Sequence, residues 1–103
     1  MGNLIHNVYF TLKNPESKAD KEALLKGLEL LKTIPEVKEA HIGILASTEK
    51  RAVVDIDWQV SETLFFESEK DQKIYQDHPI HHQFIEQCSS LWEKVRVFDS
   101  INA

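Results

Sequence analysis

The sequence predicts an α+β domain of order β-α-β-β-α-β: two split β-α-β units sharing one four-stranded antiparallel sheet, with the helices on one side. Three observations predict it. Asn3 to Lys13 alternates and is rich in β-formers, leucines recur at helical spacing between Ser17 and Pro35, and the chain closes on an alternating stretch from Lys94 to Asp99. A length of 103 residues leaves room for one domain, spanning residues 1–103, with a modest core.

The first strand places His6, Val8, Phe10 and Leu12 on one face and Ile5, Asn7, Tyr9 and Thr11 on the other. Asn14-Pro15-Glu16-Ser17 turns into a helix. Pro15 suits its first turn, and Ser17-x-x-Asp20 resembles a capping box. Leu24, Leu25, Leu28 and Leu31 carry the helix to about Ile34, where Pro35 ends it. Gly27 inside it costs about 1 kcal/mol against Ala, which a close approach or an adjacent cavity would explain. Val37 to Leu45 is a second strand, interrupted by Gly43. A long polar connection, Ala46 to Asp57, has the length of a functional or contact-making loop. Trp58 to Phe66 is the third strand, with Trp58, Val60, Glu62, Leu64 and Phe66 to one side.

Ser68-x-x-Asp71 starts a short helix that runs to about Gln76. A fresh helix begins at Pro79, capped by His78 or Asp77, with the apolar stripe Phe84, Ile85, Cys88, Leu91 and Trp92. Lys94 to Asp99 follows as a strand with Val95 and Val97 on one face. The second face of such a sheet carries Ile5, Tyr9, Phe65 and Phe98, too apolar for water. Covering it predicts a homodimer in which two sheets close a barrel-like interior.

Composition narrows the function. The formal charge is −5, with no clustered Lys or Arg, which disfavours nucleic acid and anionic membrane surfaces alike. Cys88 is the single cysteine, so there is no internal disulfide or cysteine-based zinc site. No signal-peptide pattern opens the chain and no apolar run reaches membrane-spanning length, so a cytoplasmic location is expected. After Met1-Gly2, His6 stands where a myristoylation motif wants Ser or Thr. No phosphate loop, dinucleotide fingerprint or nucleophilic cysteine context is present, so no cofactor is expected.

Tyr75-Gln-Asp-His-Pro-Ile-His-His-Gln-Phe84 departs from ordinary scaffold. Tyr75 and His81 converge only if Pro79 turns the chain. In the first turn of a helix His81 feels the positive dipole end and stays neutral. A neutral imidazole takes an α-proton while the Tyr75 hydroxyl holds the developing enolate oxygen. The competing reading is that both are satisfied polar groups fastening the helix break to the sheet. His6 reads as a core histidine bonded to a backbone carbonyl, or as a second polar handle beside His81. His78, His81 and His82 with Glu86 invite a metal, but there is no HExxH arrangement, and adventitious metal is the better reading. Glu62 either points into a wet cavity or is rotated outward by a bulge. Cys88, on the apolar stripe, reads as an inert core thiol.

Together, His6-x-Val8-x-Phe10, Tyr75-x-x-His78-Pro79-x-His81-x-x-Phe84 and Trp92-Glu-Lys-Val-Arg-Val-Phe-Asp99 resemble the stress-responsive dimeric α/β-barrel (Dabb) family over nearly the whole chain. The resemblance implies a ferredoxin-like fold and a dimer. Around Tyr75 to Phe84 and Leu91 to Asp99 the chain is similar to the plant olivetolic acid cyclase branch, which closes a linear polyketide by an aldol step. That similarity implies Tyr75 and His81 as a catalytic pair with His6 in the same cavity. It also implies Val8, Phe10, Leu24, Leu28, Val60, Trp92, Val95 and Val97 around the pocket. Glu62 falls where that branch has an apolar cavity residue, and the loop from Ala46 to Asp57 is a few residues longer here. Two functions follow: a dimeric module binding a small, largely apolar molecule, or a cofactor-free cyclase or isomerase. An enclosed cavity of a few hundred Å³ with Tyr75 and His81 within hydrogen-bond reach favours the second, and a collapsed one favours the first.

Overall fold

The computed structural model describes residues 3–103, so the reading of Met1-Gly2 lies outside the described residues. Strand β1 (Leu4–Leu12) leads into helix α1 (Lys18–Leu31), then β2 (Glu39–Ile44) and β3 (Val60–Phe66). Helices α2 (Glu69–Asp77) and α3 (Pro79–Cys88) follow, then a 3-10 turn over Ser89–Leu91 and β4 (Trp92–Ile101). The sheet is antiparallel throughout, in the order β2-β3-β1-β4, and the fold is ferredoxin-like α+β.

Alternation in β1 and β3 sorts as their sequences predict. Leu4, His6, Val8 and Phe10 are buried under the helices, as are Val60, Glu62, Leu64 and Phe66. Ile5, Tyr9, Phe65 and Phe98 occupy the opposite face, where Phe98 is 55% exposed. Trp58 joins them, its ring centroid 5.0 Å from that of Tyr9. It precedes β3, so the alternation that would have placed it beside Val60 does not apply to it. The connection before it lies over this open face. Asp55 pairs with Arg96 and Asp57 with Lys94, both at 2.6 Å, while Thr11 donates to the Asp57 carbonyl.

Ser17 caps α1 by accepting from the Asp20 amide at 3.1 Å, which leaves Pro15 in the preceding turn rather than in the helix. The α-helical ladder stops at Leu31. Lys32, Thr33 and Ile34 bond three residues back, a tightening that lets Ile34 stay buried while Pro35 disfavours helical backbone before it. At Gly27 a Cβ would stand 2.6 Å from Cys88 Sγ and 3.0 Å from the Phe84 ring. This glycine lets α1 and α3 approach closely. The stripe expected to continue through Leu91 and Trp92 leaves the helix at Cys88, because the 3-10 turn redirects the chain and Trp92 opens β4. No helix among the described residues is long and apolar enough to cross a membrane.

Candidate functional site

A cavity of about 230 Å³ lies between the helix-facing side of β1 and β4 and the helices α2 and α3. Its floor follows from register. His6, Val8 and Phe10 on β1 stand opposite Asp99, Val97 and Val95 on β4, and Glu62 on β3 stands opposite Val8. Alternation sends all seven side chains to the same face. Strand β4 is an edge that the helices only partly cover, which leaves Val95 40% and Val97 48% exposed. An aromatic wall closes one side: Trp92 stacks on Phe84 at 5.7 Å and tilts against Phe10 at 5.0 Å.

The roof depends on the break between α2 and α3. His78 adopts extended backbone (φ −66°, ψ 141°), its amide donates to the Tyr75 carbonyl at 3.2 Å, and its Nδ1 accepts from the Ile80 amide at 3.1 Å. It therefore ends one helix and caps the next, with Pro79 at the first helical position. This joint brings Tyr75 and His81 together, with ring centroids 4.9 Å apart and planes at 75°. Tyr75 is almost wholly buried, packed on Phe66 at 5.0 Å, with the His6 ring 6.0 Å away. The phenol thus has two imidazoles near it.

Burial, reinforced by the charge of Glu62, raises the Tyr75 pKa, so its hydroxyl stays protonated and can donate. Burial first, then the neighbouring His82 and His6, lowers that of His81, which favours a neutral imidazole able to accept a proton. His6 Nδ1 is hydrogen-bonded to Asp99 Oδ1. The backbone carbonyl expected as its partner is replaced by a carboxylate on the facing strand, which orients the ring. Glu62 is 2% exposed, unrotated by any bulge, and burial pushes its pKa up to about 8. Its Oε2 has no hydrogen-bond partner.

Of the residues expected around the pocket, Val8, Phe10, Glu62, Trp92, Val95 and Val97 line it together with Tyr75, His81 and His6. Leu24, Leu28 and Val60 do not. They are fully buried where α1 crosses the β3 side of the sheet, and only Leu31 at the end of α1 reaches the cavity. His78 is occupied as a cap, and His82 is a helical residue outside the lining. No three His, Cys, Asp or Glu side chains among the described residues converge as metal ligands. Asp99, Gln72 and Gln76 line the site without having been anticipated. Continuing the alternation of Val95 and Val97 by one step would have found Asp99, and helical spacing would have found Gln72 three residues before Tyr75 and then Gln76 four residues after Gln72.

The model of the stress-responsive A/B barrel domain (Dabb) family matches residues 4–102. No curated protein matches the sequence. Among solved structures, a Dabb family protein from Mesorhizobium loti is 23% identical with a TM-score of 0.81, over 100% of this chain and 99% of that one. A dimeric ferredoxin-like protein of unknown function from Thermobifida fusca is 17% identical, with a TM-score of 0.78 over 96% and 90%. The hydroxynitrile lyase of Passiflora edulis is 23% identical, with a TM-score of 0.79 over 97% and 93%. At these identities the likeness to solved structures shows the fold.

Proposed function

This chain belongs to the stress-responsive A/B barrel domain family, and we propose that its cavity binds a small, largely apolar carbonyl compound on which Tyr75 and His81 move a proton. The observation that carries this reading is the meeting of the two rings at 4.9 Å over a 230 Å³ cavity. A neutral His81 takes the proton from the carbon next to the carbonyl, and the electron pair of the broken C–H bond moves onto the carbonyl oxygen. Tyr75 donates a hydrogen bond to that developing enolate. The resulting imidazolium returns its proton to the product. His6, held by Asp99, stands near the phenol as a second polar contact. The resemblance around Tyr75 to Phe84 favours an aldol-type cyclisation or an isomerisation, and the Passiflora relative is itself a lyase. Glu62 weighs against the long aliphatic tail of a polyketide. The reading includes a homodimer through the open face of Ile5, Tyr9, Phe65 and Phe98, in line with the dimeric Thermobifida relative.

A binding module without turnover is the second reading. It is favoured by the exposed β4 wall, since Val95 and Val97 leave the chamber open to water. The test is α-deuteration of β-keto compounds in D₂O, followed by NMR. Wild-type protein is expected to exchange the α-position, and Tyr75→Phe and His81→Ala to lose about 100-fold or more of that rate. Unchanged exchange in either variant removes that residue from the mechanism. Ligand binding without exchange in wild type supports the module.

A further inference from the structure

The role of Glu62 goes beyond the proton-moving pair. It is a carboxyl group sunk to 2% exposure between Val8 and Ile42 on the neighbouring strands, it lines the cavity, and its Oε2 is unpartnered. A buried polar atom without a partner costs on the order of 1–3 kcal/mol, and a structural carboxyl would be retained only with donors around it. None of the donors in the cavity bonds to Oε2. No Lys or Arg lines the cavity, and the other carboxylate present, Asp99, is engaged by His6. The missing partner therefore belongs to whatever fills the space.

We propose that Glu62 determines specificity by hydrogen-bonding a hydroxyl group on the ligand, so that the compound bound is an uncharged, hydroxyl-bearing carbonyl compound. A hydroxyl fits because it offers the donor that Oε2 lacks and an acceptor for the protonated acid form. A carboxylate or phosphate on the ligand is rejected, because it would enter a cavity carrying two carboxyl groups and no cationic Lys or Arg. The raised Glu62 pKa agrees with this, as the neutral acid both donates and accepts. The assignment rests on the carbonyl reading above for the nature of the rest of the ligand.

Calorimetric titration with matched aryl ketones tests it: each parent compound with a hydroxyl, a methoxy, a hydrogen or a carboxylate at one ring position. The hydroxyl members are expected to bind at least about tenfold tighter than the methoxy and hydrogen members, and the carboxylates not to bind. Glu62→Leu is expected to abolish the preference, while Glu62→Gln, which keeps a donor and an acceptor, retains most of it. Equal affinity across matched pairs in wild type, or an unchanged preference in Glu62→Leu, overturns the role of Glu62 and leaves the proton-transfer reading standing. A hydroxyl preference without α-deuteration of any bound ketone retains Glu62 and overturns the proton-transfer reading. Failure of every ketone to bind overturns both.

Discussion

At Glu62, proton linkage and packing point the same way. The folded chain holds this proton up to about pH 8, whereas an ordinary glutamate releases it near 4.5. Between those values folding takes up a proton, so stability falls as pH rises, by a few kcal/mol across the window. Thermal melts of wild type should therefore drop steadily from pH 5 to 8. Glu62→Leu should raise Tm by about 5 °C or more at pH 8, less at pH 5, and flatten the slope. A variant that melts like wild type at both pH values would show that the carboxyl is not buried in solution. Strand alternation put Glu62 on the inward face but left open a bulge that would turn it outward, which the unbroken β1–β3 register excludes. Its lack of a partner was not legible, because whether Lys or Arg reaches a cavity depends on how distant segments meet. Asp99 shows the reverse. Its identity and alternation were visible, but its pairing with His6 needed the β1–β4 register.

Among the elements, the contact between α1 and α3 is set by Gly27. A methyl group there gains about 1 kcal/mol of helix propensity but meets Cys88 Sγ and Phe84, an overpacking that costs about 1–3 kcal/mol. Gly27→Ala should lower stability, and combining it with Cys88→Ala should recover part of the loss as a measurable coupling in urea titrations. Strict additivity would show that the two helices do not press on one another at this point. Helix boundaries illustrate what local pattern conveys. The Ser17 and Ser68 caps were readable because each needs only the amide three residues on. The end of α1 was not, because Ile34 remains buried after the α-helical ladder has tightened. Leu24, Leu28 and Val60 were assigned to the pocket by the resemblance to the cyclase branch, whereas periodicity names only a face. Which strand that face covers is decided by docking, and α1 docks on the β3 side.

For the whole molecule, the open sheet face calls for a second copy. Phe98 is 55% exposed beside Tyr9 and Trp58, so a charge there disturbs assembly without opening the core. Sedimentation velocity should find a dimer at micromolar concentration and a folded monomer for Phe98→Glu. A wild-type monomer would refute the shared interface. The order of elements was legible from strand and helix periodicity with the caps, and this apolar face from alternation, since both depend only on local pattern and composition. The strand order also governs when the cavity comes into being. His6 and Asp99, 93 residues apart, meet only once the last strand has added itself beside the first. During synthesis Tyr75 and His81 leave the ribosome before Val95, Val97 and Asp99 do, so a nascent or prematurely stopped chain carries the pair without its wall. The chamber is complete only once β4 has joined the sheet beside β1.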